Sequence, residues 1–302
     1  PQRCGVLLLR LAHSKSNPIA ADTQLSRRVK TTSQPYTNGE VRSAVTIDVL
    51  LVLENEAVSG VDFIESLIAQ DYPPSLLKVT VIDTRPAGET PPLSDQFTAG
   101  YSEPFSQFNW LNCSRNALTA TCNQLLEHTE SEFFLIADPQ VKLRAKTLSI
   151  LVADAHQSLP DAACWEAREQ PHEQPKVYDP VTRELDYCHF FCVLLRCSAV
   201  AQVGFFDRRF RGKDTGTELS FRLREAGFSL KYVPKAVVNN ATTNRHGSNI
   251  DYVEQVIGNF LLRTRYGLFS DRLYILPMLC VALLRPSASG ARGVLLQQFF
   301  GG

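Results

Sequence analysis

The chain has 302 residues, 44% of them hydrophobic and 21% charged, and its 31 basic residues balance 31 acidic ones. That balance excludes a disordered polyelectrolyte and gives no overall charge with which to hold nucleic acid. The length is about twice that of a common domain, but α/β folds of this size form one continuous core, so one large domain with trimmings is expected.

The opening GVLLLRLA is interrupted by Arg10 and is too short for a secretion signal. Residues 12–43 are polar and aperiodic and read as an extended arm. VTIDVLLVLE (45–54) has the continuous apolar run of a strand buried on both faces. VDFIESLIAQ (61–70) is a helix stopped by Pro73 and Pro74, and LKVTVID (77–83) is a second strand. Strand, helix and strand with short joints make a βαβ unit, hence a parallel sheet. The Pro- and Gly-rich segment 84–96 is then a loop at the carboxyl end of a strand, where open α/β sheets bind ligands.

Further on, the pattern predicts a helix over 114–128, a strand over 132–138 and a helix over 145–157. A long proline-bearing excursion follows (160–186), then an apolar strand running into a short helix (190–204). TELSFRLREAGF (217–228) is a helix closed by Gly227, and 230–239 is the last strand. LYILPMLCVALL (273–284) lies between Arg272 and Arg285 and reads either as a buried helix kinked at Pro277 or as an element in peripheral contact with a membrane. No segment reaches the roughly 20 apolar residues of a membrane span.

Eight scattered cysteines, several in apolar runs, suit free thiols in a reducing compartment, and the chain is expected to be cytoplasmic. Cys188, Cys192 and Cys197 match no common zinc spacing. The sequons at Asn112 and Asn240 would matter only in a secreted chain. No G-x-G-x-x-G, G-x-x-x-x-G-K, H-E-x-x-H or G-x-S-x-G motif is present, which removes the usual support for dinucleotide, P-loop, zinc-protease and hydrolase chemistry. Asp83 and Asp138 each end a predicted parallel strand and so face one ligand crevice.

These features together resemble the inverting family 2 glycosyltransferases of the GT-A fold, over roughly residues 45–267. The resemblance rests on Glu54-Asn55-Glu56 after the first strand, Gln70-Asp71-Tyr72-Pro73, Asp83, and Arg115-Asn116. In the second half HEQPKVYDPVTRELDY, VGFFDRRF and LREAGFSLKYVPKAVV are similar to phrases of bacterial rhamnosyltransferase-like members. The resemblance implies an α/β fold with a mainly parallel central sheet flanked by helices on both faces. It implies an arm at 1–43, a GT-A domain at 44–267 with a nucleotide-binding half (44–140) and an acceptor half (141–267), and a helical extension at 268–302.

The implied function is transfer of a sugar, with inversion, from a nucleotide-diphosphate sugar to a glycan or lipid-linked glycan. Asn55, Asp83, Arg115, Asp138 and Gln140 would then bind the donor. The family's D-x-D metal motif reads Asp138-Pro139-Gln140, so Asp138 keeps a carboxylate for Mg2+ or Mn2+ while Gln140 offers only a neutral carbonyl. The family's histidine position holds Asn239-Asn240, and His246 is the nearest replacement. For the E-D-x-D-L-x-x-R phrase, gapless counting from Arg222 puts the acidic pair on Thr215-Gly216. Two inserted residues put it on Lys213-Asp214, making Asp214 the candidate base and Glu218 its reserve. Arg208, Arg211 and Lys213 are candidates to offset diphosphate charge. These departures also support an alternative, a catalytically impaired module beside a partner glycosyltransferase or in an oligomer.

Overall fold

The computed structural model describes residues 45–54, 57–85, 100–210, 212–240 and 249–267. Asn55, His246, Arg211, the arm at 1–43 and the segment 268–302 with its 273–284 run lie outside the described residues. The sheet is built on β1 (Ile47–Leu53), whose residues are buried on both faces as the apolar run requires. α1 (Ala57–Ile68) leads to β2 (Leu77–Asp83), parallel to β1 with Leu53 level with Asp83. β3 (Gln107–Asn112) adds a parallel edge beyond β2, and α2 (Leu118–His128) leads into β4 (Phe133–Ala137), parallel to β1 on its other side.

The second half departs from parallel order. β5 (Val141–Leu143), α3 (Thr147–Gln157), β6 (Ala162–Gln170), β7 (Cys192–Arg196), α4 (Cys197–Val203), α5 (Lys213–Glu225), β8 (Ser229–Asn240) and α6 (Asn249–Tyr266) complete the described chain. The strand order is β3-β2-β1-β4-β7-β6-β8-β5. β7 is antiparallel to β4 and β6, β6 and β8 are parallel, and β5 is antiparallel to β8.

Two apolar layers cover the sheet. Ile47, Val49, Leu51 and Leu53 pack with Phe63, Ile64 and Leu67 of α1 and Leu148 and Leu151 of α3. Leu50 points the other way, toward Leu126 of α2, Val200 of α4 and Leu219 and Leu223 of α5. At roughly 25 cal/mol per Å2 of apolar surface removed from water, these two layers supply most of the folding drive. α6 lies against α5 through Phe210, Phe221 and Leu262.

Three strands escape the sequence pattern. β3 is half-exposed along its length, as an edge strand can be, and shows no apolar run. β5 has only three residues. β6 falls inside the segment expected to be an irregular excursion, because Glu166 and Glu169 break its apolar pattern although both are fully buried. Lys176 resolves the first of these, with its Nζ 2.7 Å from Glu166 Oε1. α5 starts at Lys213, four residues before the predicted Thr217, and its C-terminal end closes as expected, with the Gly227 and Phe228 amides donating to the Arg224 and Leu223 carbonyls.

Candidate active site

The carboxyl ends of β1, β2 and β4 form one edge of the parallel half-sheet. Asp83 ends β2 and Asp138 follows β4, roughly 10 Å apart across β1 by strand spacing. The structure thus brings the two predicted acids to a common edge. Arg115 reaches the same edge from a short 3-10 helix and lies 3.6 Å from Glu54 Oε2 at the end of β1.

Asp83 is paired with a neighbour two residues on. Arg85 grips it with Nε at 2.8 Å from Oδ1 and Nη2 at 2.6 Å from Oδ2, while the Arg85 amide donates to Oδ1 at 3.0 Å. Burial pushes the Asp83 carboxyl up, but the hydrogen bonds and charge of Arg85 outweigh it and hold the group below the usual carboxylate range. Arg85 was invisible as a site residue in the sequence, where the only signal is its place two residues after the strand-ending acid.

Asp138 is half-buried and heads a turn in which Oδ1 accepts the Gln140 amide at 2.9 Å. β5 then pairs with β8 so that Val141 faces Asn240. Gln140 therefore lies beside the Asn239-Asn240 end of β8, and Asn240 donates to Glu169 Oε1 at 3.2 Å. Among the described residues no cluster of three His, Cys, Asp or Glu side chains could hold a metal ion. Among the described residues the turn itself offers one carboxylate, Asp138, beside the neutral Gln140, with Glu169 turned to Asn240, which is fewer anionic oxygens than a hard divalent cation takes.

α5 carries both candidate bases, and its two sides differ sharply. Asp214 and Glu218 are one turn apart and share a face, while Gly216 lies about 200° around the helix from Asp214. The Asp214–Glu218 face meets α6. Glu218, fully buried, accepts from Arg222 Nε at 2.9 Å, Arg265 Nη1 at 3.1 Å and the Tyr266 hydroxyl at 2.9 Å. Arg222 also donates to the Val203, Gly204 and Phe205 carbonyls, tying α5 to the end of α4. Glu218 is thus the centre of a buried ion-pair network.

Asp214 abuts Gly258 of α6 so closely that a Cβ there would stand 1.9 Å from Oδ2. Burial pushes its carboxyl up to about 7, and no hydrogen bond or charge of the described residues offsets it. The opposite side of α5 holds no acid. A Cβ at Gly216 would stand 2.2 Å from the Phe190 ring, so that ring fills the space a side chain would need. Phe190 has φ 59°, a strained conformation for an aromatic residue. The next residue, Phe191, accepts the Asp138 amide at 2.8 Å, which places Phe190 between the Asp138 turn and α5. The apolar run around Phe190 concealed this role.

Beside the candidate Arg208, Arg209 pairs with Asp207 at 2.6 Å, and the Lys213 side chain lies outside the described residues. Among the described residues no helix is long and apolar enough to cross a membrane.

Solved structures share this architecture. The mannosyltransferase PcManGT from Pyrobaculum calidifontis, in complex with GDP-Man and Mn2+, matches with a TM-score of 0.56 at 16% identity, over 84% of this chain and 81% of its own. GalNAc-T7 with UDP, GalNAc and Mn2+ matches with a TM-score of 0.55 at 13% identity, over 78% of this chain and 54% of its own. Residues 1–349 of S. aureus TarS match with a TM-score of 0.52 at 12% identity, over 82% of this chain and 74% of that one. The fold is therefore the GT-A-type α/β fold of these glycosyltransferases. No family model matches the chain, and no curated protein matches it by sequence.

Proposed function

We propose that this chain is a glycosyltransferase-type protein that binds a nucleotide-diphosphate sugar at the carboxyl edge of β1, β2 and β4 and transfers the sugar poorly or not at all. The observation that carries this reading is the Gly216–Phe190 contact. An inverting transfer needs a base within hydrogen-bond reach of the attacking hydroxyl, and the side of α5 nearest the Asp138 turn offers an aromatic ring instead. Donor binding is supported by the shared fold, by the GDP-Man in one similar structure and the UDP and GalNAc in another, and by Asp83, Arg115 and Asp138 along one edge. Asn55 and Gln140 complete the proposed donor set. The donor would bind with little help from Mg2+ or Mn2+, and Asp138 would serve as a hydrogen-bond acceptor.

A second reading is favoured by Asp214. Its carboxyl, raised to about 7 by burial, has the proton affinity of a general base working near neutral pH. In that reading the chain is an active inverting transferase acting on a glycan or lipid-linked glycan, and the acceptor approaches along the α5–α6 seam. Calorimetry with UDP and GDP, with and without Mn2+, tests donor binding. A donor-consumption assay comparing the native chain with Asp214→Asn separates the readings, because only the second makes turnover depend on Asp214.

A further inference from the structure

Cys164 and Cys188 bring their sulfurs to 3.1 Å inside the core, and both are fully buried. Each is held by its own surroundings. Cys164 lies on β6, level with Leu195 of β7 and Leu230 of β8. Cys188 donates its amide to Ser220 Oγ at 3.1 Å, and Ser220 in turn donates to the Gly216 carbonyl on α5 at 2.9 Å. The sulfurs would need to close by about 1 Å to reach disulfide length.

We infer that Cys164 and Cys188 form a disulfide when the chain folds in the presence of a small-molecule disulfide, cross-linking β6 to the root of β7. One cysteine thiolate attacks the small disulfide, forming a mixed disulfide and releasing one small thiol. The second cysteine then attacks the protein-side sulfur, forming the Cys164–Cys188 bond and releasing the other small thiol. Two protein thiols are oxidised and one small disulfide is reduced. The bond spans the segment that carries the loop from 171 to 186, whose Leu185 amide donates to the Leu230 carbonyl at 2.8 Å.

Burial decides which state then persists. In the folded reduced chain, desolvation and then the neighbouring Cys164 raise the Cys188 thiol, so little thiolate is available to react. In the folded oxidised chain the same packing shields the bond from reductant. The pair therefore keeps the redox state in which the chain folded.

The test uses the full chain, refolded from denaturant either with oxidised glutathione or with dithiothreitol. The monodisperse folded fraction is unfolded in iodoacetamide and mapped by mass spectrometry. The oxidised sample is expected to show two fewer alkylated cysteines than the eight in the sequence, with one peptide pair joining Cys164 to Cys188. Dithiothreitol is expected to leave that bond intact in the native chain and to cleave it in urea, and Cys164→Ala or Cys188→Ala should each abolish it. Eight alkylated cysteines after oxidative folding, a link mapped to another pair, or equally fast reduction of native and unfolded chain would each overturn the inference.

Discussion

Gly216 and Phe190 make a prediction whose sign depends on context. Gly216→Ala places a Cβ where the Phe190 ring stands, 2.2 Å from its nearest atom, and overpacking of this kind costs about 1–3 kcal/mol. With Phe190→Ala in the background the clash is gone, and alanine is favoured over glycine in a helix by about 1 kcal/mol. Urea unfolding should therefore show Gly216→Ala destabilising the native chain and leaving the Phe190→Ala variant unchanged or more stable. Equal destabilisation in both backgrounds would mean that the ring does not fill that space.

Asp214 gives a pH dependence of defined direction. Its folded value of about 7 lies above the ordinary carboxylate value of 3.8, so the folded state holds a proton that the unfolded state has released between those limits. Its contribution is greatest below about pH 4, falls as pH rises toward 7, and is flat beyond. The shift corresponds to a loss of about 4 kcal/mol across that window, at 1.36 kcal/mol per pH unit. Asp214→Asn removes the titration, so its stability relative to the native chain should rise between pH 4 and pH 7. A constant difference would place Asp214 in water.

At the scale of elements, the α5–α6 seam depends on Glu218. Removing one member of a buried ion pair leaves its partners uncompensated and costs about 3–5 kcal/mol. Glu218→Ala should fall in that range by urea unfolding and detach α6, seen as faster hydrogen exchange across Asn249–Tyr266. The β6 strand makes a parallel case with Lys176, whose side chain is only 3% exposed against Glu166. Burial pushes the Glu166 carboxyl up, while Lys176 and the His189 amide oppose the shift. These buried charges also explain what the sequence hid. The helices α1 to α5 and the strands β1, β2, β4, β7 and β8 were legible because apolar periodicity and burial coincide. β6 was not, because its polar residues find partners distant in the sequence.

At the scale of the molecule, the parallel pairing of β1 and β2 was readable from the βαβ pattern and the edge acids from their strand ends, whereas the antiparallel pairings of β7 and β5 were not. The site divides in the same way. Asp83 and Asp138 stand where their strand ends put them, whereas Arg85 shows only as an arginine two residues after an acid and Phe190 meets Gly216 from a distant part of the sequence. A divalent cation should matter little at the Asp138 turn, where Gln140 and Asn240 are neutral. Mn2+ is expected to change the calorimetric affinity for UDP or GDP by less than about threefold, and a much larger gain would reveal an acidic ligand beyond Asp138. The most direct test of the central claim is donor consumption across a panel of glycan acceptors, measured for the native chain and for Asp214→Asn. The account predicts equal turnover for the two, far below the roughly 1 per second at the low end of ordinary enzymes. Efficient turnover by the native chain that falls by about 100-fold or more in Asp214→Asn would contradict it.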